Sequence, residues 1–350
     1  MSLQHFRYYT KEDVLSLTRL RRFETKAGEQ VQVSTGPDLA ARLQSSVANY
    51  VLLGIPENIG VKANAGIGGT SSAWLSFLRA FLNIQSNDFF NGASVLLLGH
   101  FDFSDMERLI DENAGSEDEK IEAYRHAVNA IDEEVEKIIK AIVAAGKFPV
   151  VIGGGHNNAY PIIKGAAKGL LQAQKIGLPQ LNCISLDAHT DYRPEEGRHS
   201  GNAFRYAESD GFLQKYCVIG IHENYLPQNV WVDFVNNPFF DCLTYEDIFI
   251  HEKRTFTQAI AHALDFTGDA FTGIELDLDS IENVLSSAMT PSGITPLQAR
   301  QYVSLCAASN NMAYLHLCEG ATELHDGKKN ETTGKLLSYL VTDFIKMHQG

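Results

Sequence analysis

The sequence predicts an α/β fold in which helices cover both faces of one mostly parallel sheet. Short apolar runs rich in β-branched residues recur along the 350-residue chain, and longer amphipathic segments separate them. Strands that are apolar on both faces are typical of buried parallel sheets. Because neither an internal repeat nor a linker rich in proline or glycine divides the chain, we expect one domain over residues 1–350, with residues 1–50 as a less regular N-terminal elaboration.

The apolar runs are the predicted strands, and the amphipathic segments between them are the predicted helices. The strands are Val51–Ile55, Val95–Gly99, Val150–Ile152, Cys183–Leu186, Val218–Ile221, Phe271–Leu278 and Met312–Cys318. The helices are Ser72–Leu82, Glu119–Ala145, Ala159–Gln174, Thr255–Leu264, Pro296–Ala308 and Gly334–His348. We interpret the charged stretch Asp111–Lys120 as a solvated loop that leads into the second of these helices.

Composition excludes several classes of function. A net charge of −14 argues against a nucleic-acid partner, whose phosphates require clustered Lys and Arg. Apolar runs fall short of the roughly 20 residues that cross a bilayer, and the N-terminus lacks the apolar core of a signal peptide. The five cysteines are scattered and have no CxxC spacing, which favours a reducing compartment. We therefore expect a cytoplasmic protein with a small-molecule substrate and no membrane partner.

Polar residues that follow the predicted strands are the candidate site, because ligands of open α/β sheets bind beyond the carboxyl ends of the strands. After Val150–Ile152 the chain reads GGGHNN, in which three glycines permit a sharp turn that delivers His156 to the sheet edge. The alternatives are a structural histidine and a phosphate-binding turn. Neither G-x-x-x-x-G-K-[ST] nor G-x-G-x-x-G is present, which weakens the phosphate interpretation.

Two further strands end in acidic residues. The first continues into DAHTD, where a period of two places Asp187, His189 and Asp191 on one side. A hydrogen-bonded surface turn is the alternative interpretation of this cluster. In the second, ELDLDS, Asp277 and Asp279 share a side, and like charges this close raise each other's pKa or require a counter-ion. Glu275 of the same motif lies deeper in the strand, where a hydrogen-bonded structural carboxylate is the alternative to a role at the site.

Placed on one sheet, these side chains predict a site for two divalent cations. Four aspartates with two neutral histidines carry a formal charge of about −4, which two such cations balance. Ligation rich in oxygen, with two imidazoles and no thiolate, favours Mn²⁺, with Zn²⁺, Fe²⁺ and Co²⁺ as competitors. A pair of cations held by bridging carboxylates is suited to activating water near neutral pH.

The motifs GGGHNN, DAHTD and ELDLDS, in this order, resemble the metal signatures of the ureohydrolases, the superfamily of arginases, agmatinases and formimidoylglutamases. The resemblance extends from Val51 to Glu319. It implies a three-layer αβα sandwich around a mostly parallel sheet of about eight strands. It also implies two Mn²⁺ per chain, and we expect a homo-oligomer. One ion would be held by His156, Asp187, Asp191 and Asp277, and the other by His189, Asp187, Asp277 and Asp279.

The same resemblance implies roles for further residues. Asp191 would orient the attacking water and help to move its proton, and Glu319 would hold the cationic nitrogen of the substrate. Ser200 and Asn202, in a Ser-Gly-Asn segment, and Thr290 resemble substrate-binding residues of the family. A carboxylate at a strand end is well placed to pair with a planar cationic C–N group.

Departures from the family pattern favour one branch of it. Arginases and agmatinases usually place a histidine two residues after Ser-Gly-Asn, whereas this chain has Phe204. HSGNAFR resembles the formimidoylglutamase branch, whose loop carries arginines suited to a dicarboxylate tail. Arg193, Arg198 and Arg205 could bind that tail, with Arg193 and Arg205 as the predicted substrate residues. A solvent-exposed arginine is the alternative interpretation of each.

The leading hypothesis is therefore hydrolysis of N-formimidoyl-L-glutamate to L-glutamate and formamide. The runner-up is hydrolysis of a guanidino compound with release of urea. A deacetylase-like enzyme with one Zn²⁺ is a third interpretation, although the carboxylate-rich set exceeds what one cation requires. A metal-binding regulatory protein that has lost turnover is the fourth, and Phe204 is the residue that keeps it open.

Overall fold

Ten strands form one sheet in a computed structural model that describes residues 4–309 and 311–348. The strands are β1 (Phe6–Tyr8), β2 (Gln32–Val33), β3 (Tyr50–Gly54), β4 (Val95–Phe101), β5 (Phe148–Ile152), β6 (Leu181–Leu186), β7 (Leu213–Ile221), β8 (Phe240–Thr244), β9 (Thr272–Asp277) and β10 (Met312–Cys318). Their spatial order is β1-β4-β3-β5-β10-β9-β6-β7-β8, and β2 pairs with β4. Only β1 and β4 pair in antiparallel fashion among the described strands.

Thirteen α-helices lie within the described residues. They are α1 (Lys11–Ser16), α2 (Ala27–Gln30), α3 (Leu39–Gln44), α4 (Ile59–Ala63), α5 (Ala73–Phe81), α6 (Ser104–Asn113), α7 (Glu117–Ala144), α8 (Ala159–Gln172), α9 (Ala203–Ser209), α10 (Gln228–Asn236), α11 (Phe256–Thr267), α12 (Pro296–Ala307) and α13 (Thr332–Met347). Of the helices in this part of the chain, none is long and apolar enough to cross a membrane.

Successive strand residues enter two different cores, one on each face of the sheet. On β3, Leu52 packs into the core that α5, α11, α12 and α13 cover, whereas Val51 and Leu53 pack into the core under α7 and α8. Each fully buried side chain of this kind contributes about 1.5–3 kcal/mol by leaving water. Helices on both faces of a mostly parallel sheet make the predicted three-layer αβα sandwich, so the predicted fold class is confirmed.

The sheet has ten strands rather than about eight, because β1, β2 and β8 were not predicted. β1 and β2 are three and two residues long, too short to show an alternating pattern. β8 is an edge strand in which only Phe240 and Leu243 are buried, so its sequence lacks a continuous apolar run. The two N-terminal strands extend the sheet beside β4, which ties part of residues 1–50 to the main structure.

The expectation of a loop over Asp111–Lys120 is wrong for most of that segment. Helix α6 extends to Asn113, and α7 begins at Glu117 after Ser116, whose hydroxyl accepts a hydrogen bond from the Glu119 amide. The apolar stripe of α6 is short: Met106 and Ile110 pack against the core but are only partly buried, and most of the helix is polar.

Candidate metal centre

Four neighbouring strands, in the order β5-β10-β9-β6, end at the same edge of the sheet. They pair in parallel, so their carboxyl ends meet there. His156 follows β5, Glu319 follows β10, Asp277 ends β9, and Asp187 follows β6. The sheet order thus brings together residues that lie more than a hundred positions apart in the sequence.

The loop after β5 depends on its glycines. Gly153 and Gly154 have positive φ angles of 90° and 77°, a region that side chains rarely occupy. A Cβ atom on Gly154 would lie 2.5 Å from the Asn158 Nδ2 atom. The buried Glu57 carboxylate accepts hydrogen bonds from the Gly155 amide at 2.9 Å and from Asn158 Nδ2 at 2.8 Å. These contacts fix the turn that presents His156.

In the loop after β6, a backbone amide fixes the orientation of the first acidic side chain. The His189 amide donates to Asp187 Oδ1 at 2.7 Å, which orients the Asp187 side chain along the loop. Asp191 has a φ of +45°, a left-handed conformation that costs a residue with a side chain about 1–3 kcal/mol. Such a conformation persists only where the surrounding structure imposes it, and residues strained in this way cluster at functional sites.

The same hydrogen bond, from a backbone amide to the aspartate two residues earlier, occurs at the end of β9. The Asp279 amide donates to Asp277 Oδ1 at 2.8 Å. Asp279 Oδ2 lies 3.2 Å from His189 Nδ1, which belongs to the loop after β6. The structure therefore joins the two acidic motifs on one side of the sheet edge.

All six predicted ligands converge, and their donor atoms form two overlapping groups. The first group contains His156, Asp187, Asp191 and Asp277, and the second contains Asp187, His189 and Asp279; within each group the donor atoms lie within 4.8 Å of one another. His156 Nδ1 lies 3.2, 2.8 and 3.2 Å from oxygens of Asp187, Asp191 and Asp277. Asp187 belongs to both groups, whereas Asp277 belongs only to the first.

The electrostatics of the cluster are those of like charges held out of water. Burial, followed by the carboxylates of Asp279 and Asp187, raises the pKa of Asp277 well above its usual value. Burial and the Asp187 carboxylate raise the pKa of Asp191 to about 6. Burial also opposes ionisation of Asp187, but His156 and His189 lower its pKa to about 2. A group of carboxylates in this arrangement favours binding of cations.

A cavity of about 600 Å³ opens directly above the cluster. Its wall includes the predicted residues Asp191, Arg193, Ser200 and Glu319. Glu319 is 4% exposed and has a φ of +61°. One of its oxygens accepts from the His156 amide at 2.9 Å, and the other lies 3.4 Å from Ser287 Oγ. Burial raises the pKa of Glu319 to about 8.

Three predicted substrate residues have other partners and are absent from this wall. Arg205 pairs with Asp233 and stacks 3.8 Å above the Tyr192 ring. Asn202 is buried, where its Oδ1 accepts from the His199 amide at 3.1 Å and its Nδ2 donates to the Gly197 carbonyl at 2.7 Å. The Thr290 hydroxyl is bonded to the backbone of Ser292. Their side chains shape the loops around the cavity.

The third arginine of the loop is part of the core. Arg198 is 2% exposed and forms a two-pronged ion pair with Asp132, at 2.9 and 3.2 Å. It also donates to the Asn157 carbonyl at 2.8 Å, which connects the segment around Arg198 to the loop after β5. Phe204 is likewise fully buried, where its ring stacks on Tyr216 at 4.2 Å and meets the His156 ring edge-on at 5.1 Å.

Comparison with known proteins places this arrangement in a family. The sequence model described as the Arginase family matches residues 48–345. The chain belongs to the arginase family. That match spans all four strand ends that carry the site.

Individual members of the family share a modest part of the sequence. The formimidoylglutamase of Rhodococcus jostii is 26% identical over 243 residues, which cover 65% of this chain and 70% of that protein. The Streptococcus pyogenes serotype M3 formimidoylglutamase is 28% identical over 208 residues, 57% of this chain and 61% of that protein. A crystal structure of Trypanosoma cruzi formiminoglutamase with Mn²⁺ has a TM-score of 0.66 and 19% identity, and covers 90% of this chain and 100% of that one.

Several cavity residues of this arginase-family protein were not predicted. Asn64 accepts from Arg193 Nη1 at 3.2 Å, and Glu196 pairs with Arg193 Nη2 at 2.7 Å. Tyr225 and Ser287 also face the cavity. Asn64 lies at the end of α4, beyond the loop that follows β3, so the rule that ligands bind beyond strand ends would not have found it. No signal in the sequence marks Ser287 either.

Proposed function

We propose that this arginase-family protein hydrolyses N-formimidoyl-L-glutamate to L-glutamate and formamide with two Mn²⁺. The observation that carries the proposal is the convergence of six donor side chains beneath a cavity whose wall holds Glu319 and Arg193. The relatives named formimidoylglutamase and the Mn²⁺ in the Trypanosoma cruzi structure support the choice of substrate and cation.

The residues present fit two divalent cations. His156 Nδ1, Asp187 Oδ2 and Asp279 Oδ1 are buried polar atoms without a hydrogen-bond partner among the described residues, and such atoms are costly unless a ligand satisfies them. We assign His156, Asp187, Asp191 and Asp277 to one ion, and Asp187, His189 and Asp279 to the other. We add Asp277 to the second ion on the family resemblance, since its donor atom falls only in the first group. When bound, the ions activate water and stabilise the charge that develops on the substrate.

Asp191 and Glu319 are the proposed catalytic residues. The Asp191 carboxylate orients the attacking water and takes up one of its protons. The Glu319 carboxylate, held by the His156 amide and Ser287, pairs with the cationic nitrogen of the formimidoyl group. The water oxygen forms a bond to the formimidoyl carbon, and the bond from that carbon to the α-nitrogen breaks. The proton taken up by Asp191 passes to the departing amine, and the remaining hydroxyl proton is released as the carbonyl of formamide forms. The amine takes up this second proton as well, so the products are formamide and glutamate with a protonated amine.

Arg193 is the proposed partner for the dicarboxylate tail. Its guanidinium faces the cavity and is held by Glu196 and Asn64. Ser200 lies beside it on the same wall and hydrogen-bonds to Asn64 Nδ2 at 3.3 Å. We leave Arg205 out of the substrate contacts because it does not line the cavity, and its guanidinium pairs with Asp233.

A guanidino substrate with release of urea is the second candidate, and the charge of the cavity favours it. Arg193 is the only Lys or Arg on the described wall, whereas Asp191, Glu196 and Glu319 are among its acidic residues. A cationic guanidinium suits that balance, and Glu319 would pair with it as with an amidinium.

A substrate panel separates the two candidates. The Mn²⁺-loaded protein is given formimidoylglutamate, arginine, agmatine and guanidinobutyrate, and formamide, ammonia and urea are measured. We expect formamide and glutamate in equal amounts from formimidoylglutamate, and a much smaller kcat/KM for urea release. A preference for any guanidino compound would contradict the assignment.

We further propose a cytoplasmic location, one domain over residues 1–350, and a homo-oligomer. The five cysteines support the location, because all are free thiols and four of them are buried. Light scattering coupled to size-exclusion chromatography tests the assembly, and a mass equal to the 38.7 kDa chain would contradict it.

A further inference from the structure

The imidazole of His156 has two nitrogens, and they face opposite surroundings. Nδ1 faces the carboxylates of Asp187, Asp191 and Asp277, where the proposed cation lies. Nε2 faces into the protein and has no hydrogen-bond partner among the described residues, but Glu275 Oε2 lies within reach at 3.4 Å. His156 and Glu275 are both fully buried, so no water competes for this second contact.

Glu275 is held in one orientation by two neighbours. Its Oε2 lies 2.6 Å from His316 Nδ1, and its Oε1 accepts from the Tyr314 hydroxyl at 2.7 Å. His316 is the direct partner of Glu275 in the β9–β10 register, so their side chains lie on the same face of the sheet. Both oxygens of this carboxylate are thereby fixed, with Oε2 directed between two imidazoles.

The sequence of β9 makes room for this arrangement. Gly273 lies two residues before Glu275 on the same face of the strand and pairs with Tyr314 in the register. A Cβ atom at residue 273 would lie 2.2 Å from Tyr314 Cζ and 2.3 Å from its hydroxyl oxygen. Any larger residue at this position would displace the Tyr314 ring from Glu275.

We propose that Glu275 is a positioning residue that holds the His156 ring with its proton on Nε2, so that the Nδ1 lone pair points to the cation. The inference rests on the proposed function, because it assumes that His156 binds a cation. A ligating histidine generally donates its other N–H to a carboxylate or carbonyl, which fixes the tautomer and raises the basicity of the ligating nitrogen. Tyr314 and His316 in turn position Glu275.

A third cation is the competing explanation for the same residues. His156, Glu275, His316 and Cys318 place four donor atoms within 4.8 Å of one another. However, both oxygens of Glu275 already have hydrogen-bond partners, His316 Nδ1 at 2.6 Å and the Tyr314 hydroxyl at 2.7 Å. None of the four lines the cavity, so a cation there would lack the access that the other two have.

The test compares Mn²⁺ binding by the full chain and by three variants. Glu275→Gln removes the charge with little change in shape, and Tyr314→Phe removes one hydrogen bond to the carboxylate. Tyr302→Phe is the matched control, because Tyr302 is also a fully buried tyrosine but its hydroxyl donates to the backbone carbonyls of Glu275 and Ile184. Isothermal titration calorimetry measures Mn²⁺ affinity and stoichiometry, and urea denaturation measures the free energy of unfolding.

We expect Glu275→Gln to weaken one of the two Mn²⁺ sites by about 10- to 100-fold, as is common when such a partner is lost. The other site should change far less. Tyr314→Phe should have a smaller effect in the same direction, while Tyr302→Phe should lose comparable stability with unchanged Mn²⁺ affinity.

Each remaining outcome overturns the inference. If wild type binds two ions and both affinities survive in Glu275→Gln and Tyr314→Phe, the positioning role alone is wrong. If Tyr302→Phe weakens Mn²⁺ binding as much as Tyr314→Phe, the effect is general destabilisation. Three ions per chain would favour the competing site, and no ions in wild type would also refute the proposed function.

Discussion

The segment from the end of β6 to the first turn of α9 contains two adjacent regions whose residues are placed in different ways. In Asp187–Asp191, the strand end and backbone hydrogen bonds place the side chains, and all three ionisable residues converge with ligands from β5 and β9. In residues 193–205, the three arginines depend on side-chain partners. Only Arg193 reaches the cavity, while Arg198 is buried with Asp132 and Arg205 pairs with Asp233. The sheet and its strand ends thus place the metal-ligand candidates, whereas ion pairs place the arginines of the segment that follows.

Removing a shared ligand should have the largest effect. Asp187→Ala and Asp277→Ala should each abolish binding of two ions and lower kcat/KM by more than about a hundredfold, the upper end for loss of a group that merely supports a ligand. Elemental analysis and formamide release measure the two effects. Asp118→Ala is the control, since Asp118 is exposed on α7. Two ions retained at wild-type affinity in Asp277→Ala would contradict its role.

The buried arginine should matter for stability rather than for the substrate. Arg198→Ala leaves the buried Asp132 carboxylate without its partner, and breaking such a pair costs about 3–5 kcal/mol. Urea denaturation measures the loss. The double variant Arg198→Met with Asp132→Leu removes both charges and should recover most of the stability. A loss below about 1 kcal/mol in Arg198→Ala would show that the pair is dispensable.

The two remaining arginines should differ in their effect on catalysis. Charge-assisted hydrogen bonds contribute about 1.5–3 kcal/mol, so Arg193→Ala should lower kcat/KM for formimidoylglutamate by about tenfold or more. Arg205→Ala is the matched control from the adjacent helix α9 and should change this ratio much less. Should Arg205→Ala prove the more harmful of the two, the tail would bind elsewhere than at Arg193.

The smallest effect concerns pH and His199. Burial and the neighbouring Arg193 lower the pKa of His199 to about 4, although Glu196 opposes this. The unfolded chain therefore binds a proton between about pH 6.5 and 4 that the folded chain does not. This contribution to stability is complete above pH 6.5 and is lost as the pH falls towards 4.

The measurement is the free energy of unfolding between pH 7 and 4 in wild type and His199→Asn. Asparagine can still accept from the Gly201 amide, as His199 Nδ1 does at 3.1 Å, but does not titrate. As the pH falls, the free energy of unfolding should decrease more in wild type than in His199→Asn. Parallel curves would mean that His199 titrates normally.

The same contrast explains what could be predicted from sequence. The seven predicted strands and six predicted helices are present, because continuous apolar runs and helical spacing reflect burial directly. The six donor residues converge as expected, since strand order brings the strand ends together. The expected strand period does not place them, because residues 187–191 and Asp279 lie in turns beyond β6 and β9. β8 was missed because an edge strand is only half buried. The partners of Arg198 and Arg205 were missed because Asp132 and Asp233 belong to other elements, and nothing in a single sequence links them.

Glu57 and Glu275 illustrate the same limit within the site. Both carboxylates are fully buried beside the ligand loops, yet each is recognisable only from its partners. Glu57 accepts from a backbone amide of α4 and from one in the loop after β5, and Glu275 lies between two imidazoles. The sequence suggested a hydrogen-bonded structural role for Glu275, whereas its contacts point to the orientation of His156.

Anomalous diffraction from Mn²⁺-loaded crystals tests the central claim most directly. We predict two anomalous peaks per chain at the Mn edge, one among His156, Asp187, Asp191 and Asp277, and the other beside His189 and Asp279. A single peak, or a peak between Glu275 and His316, would contradict the two-ion site at the strand ends.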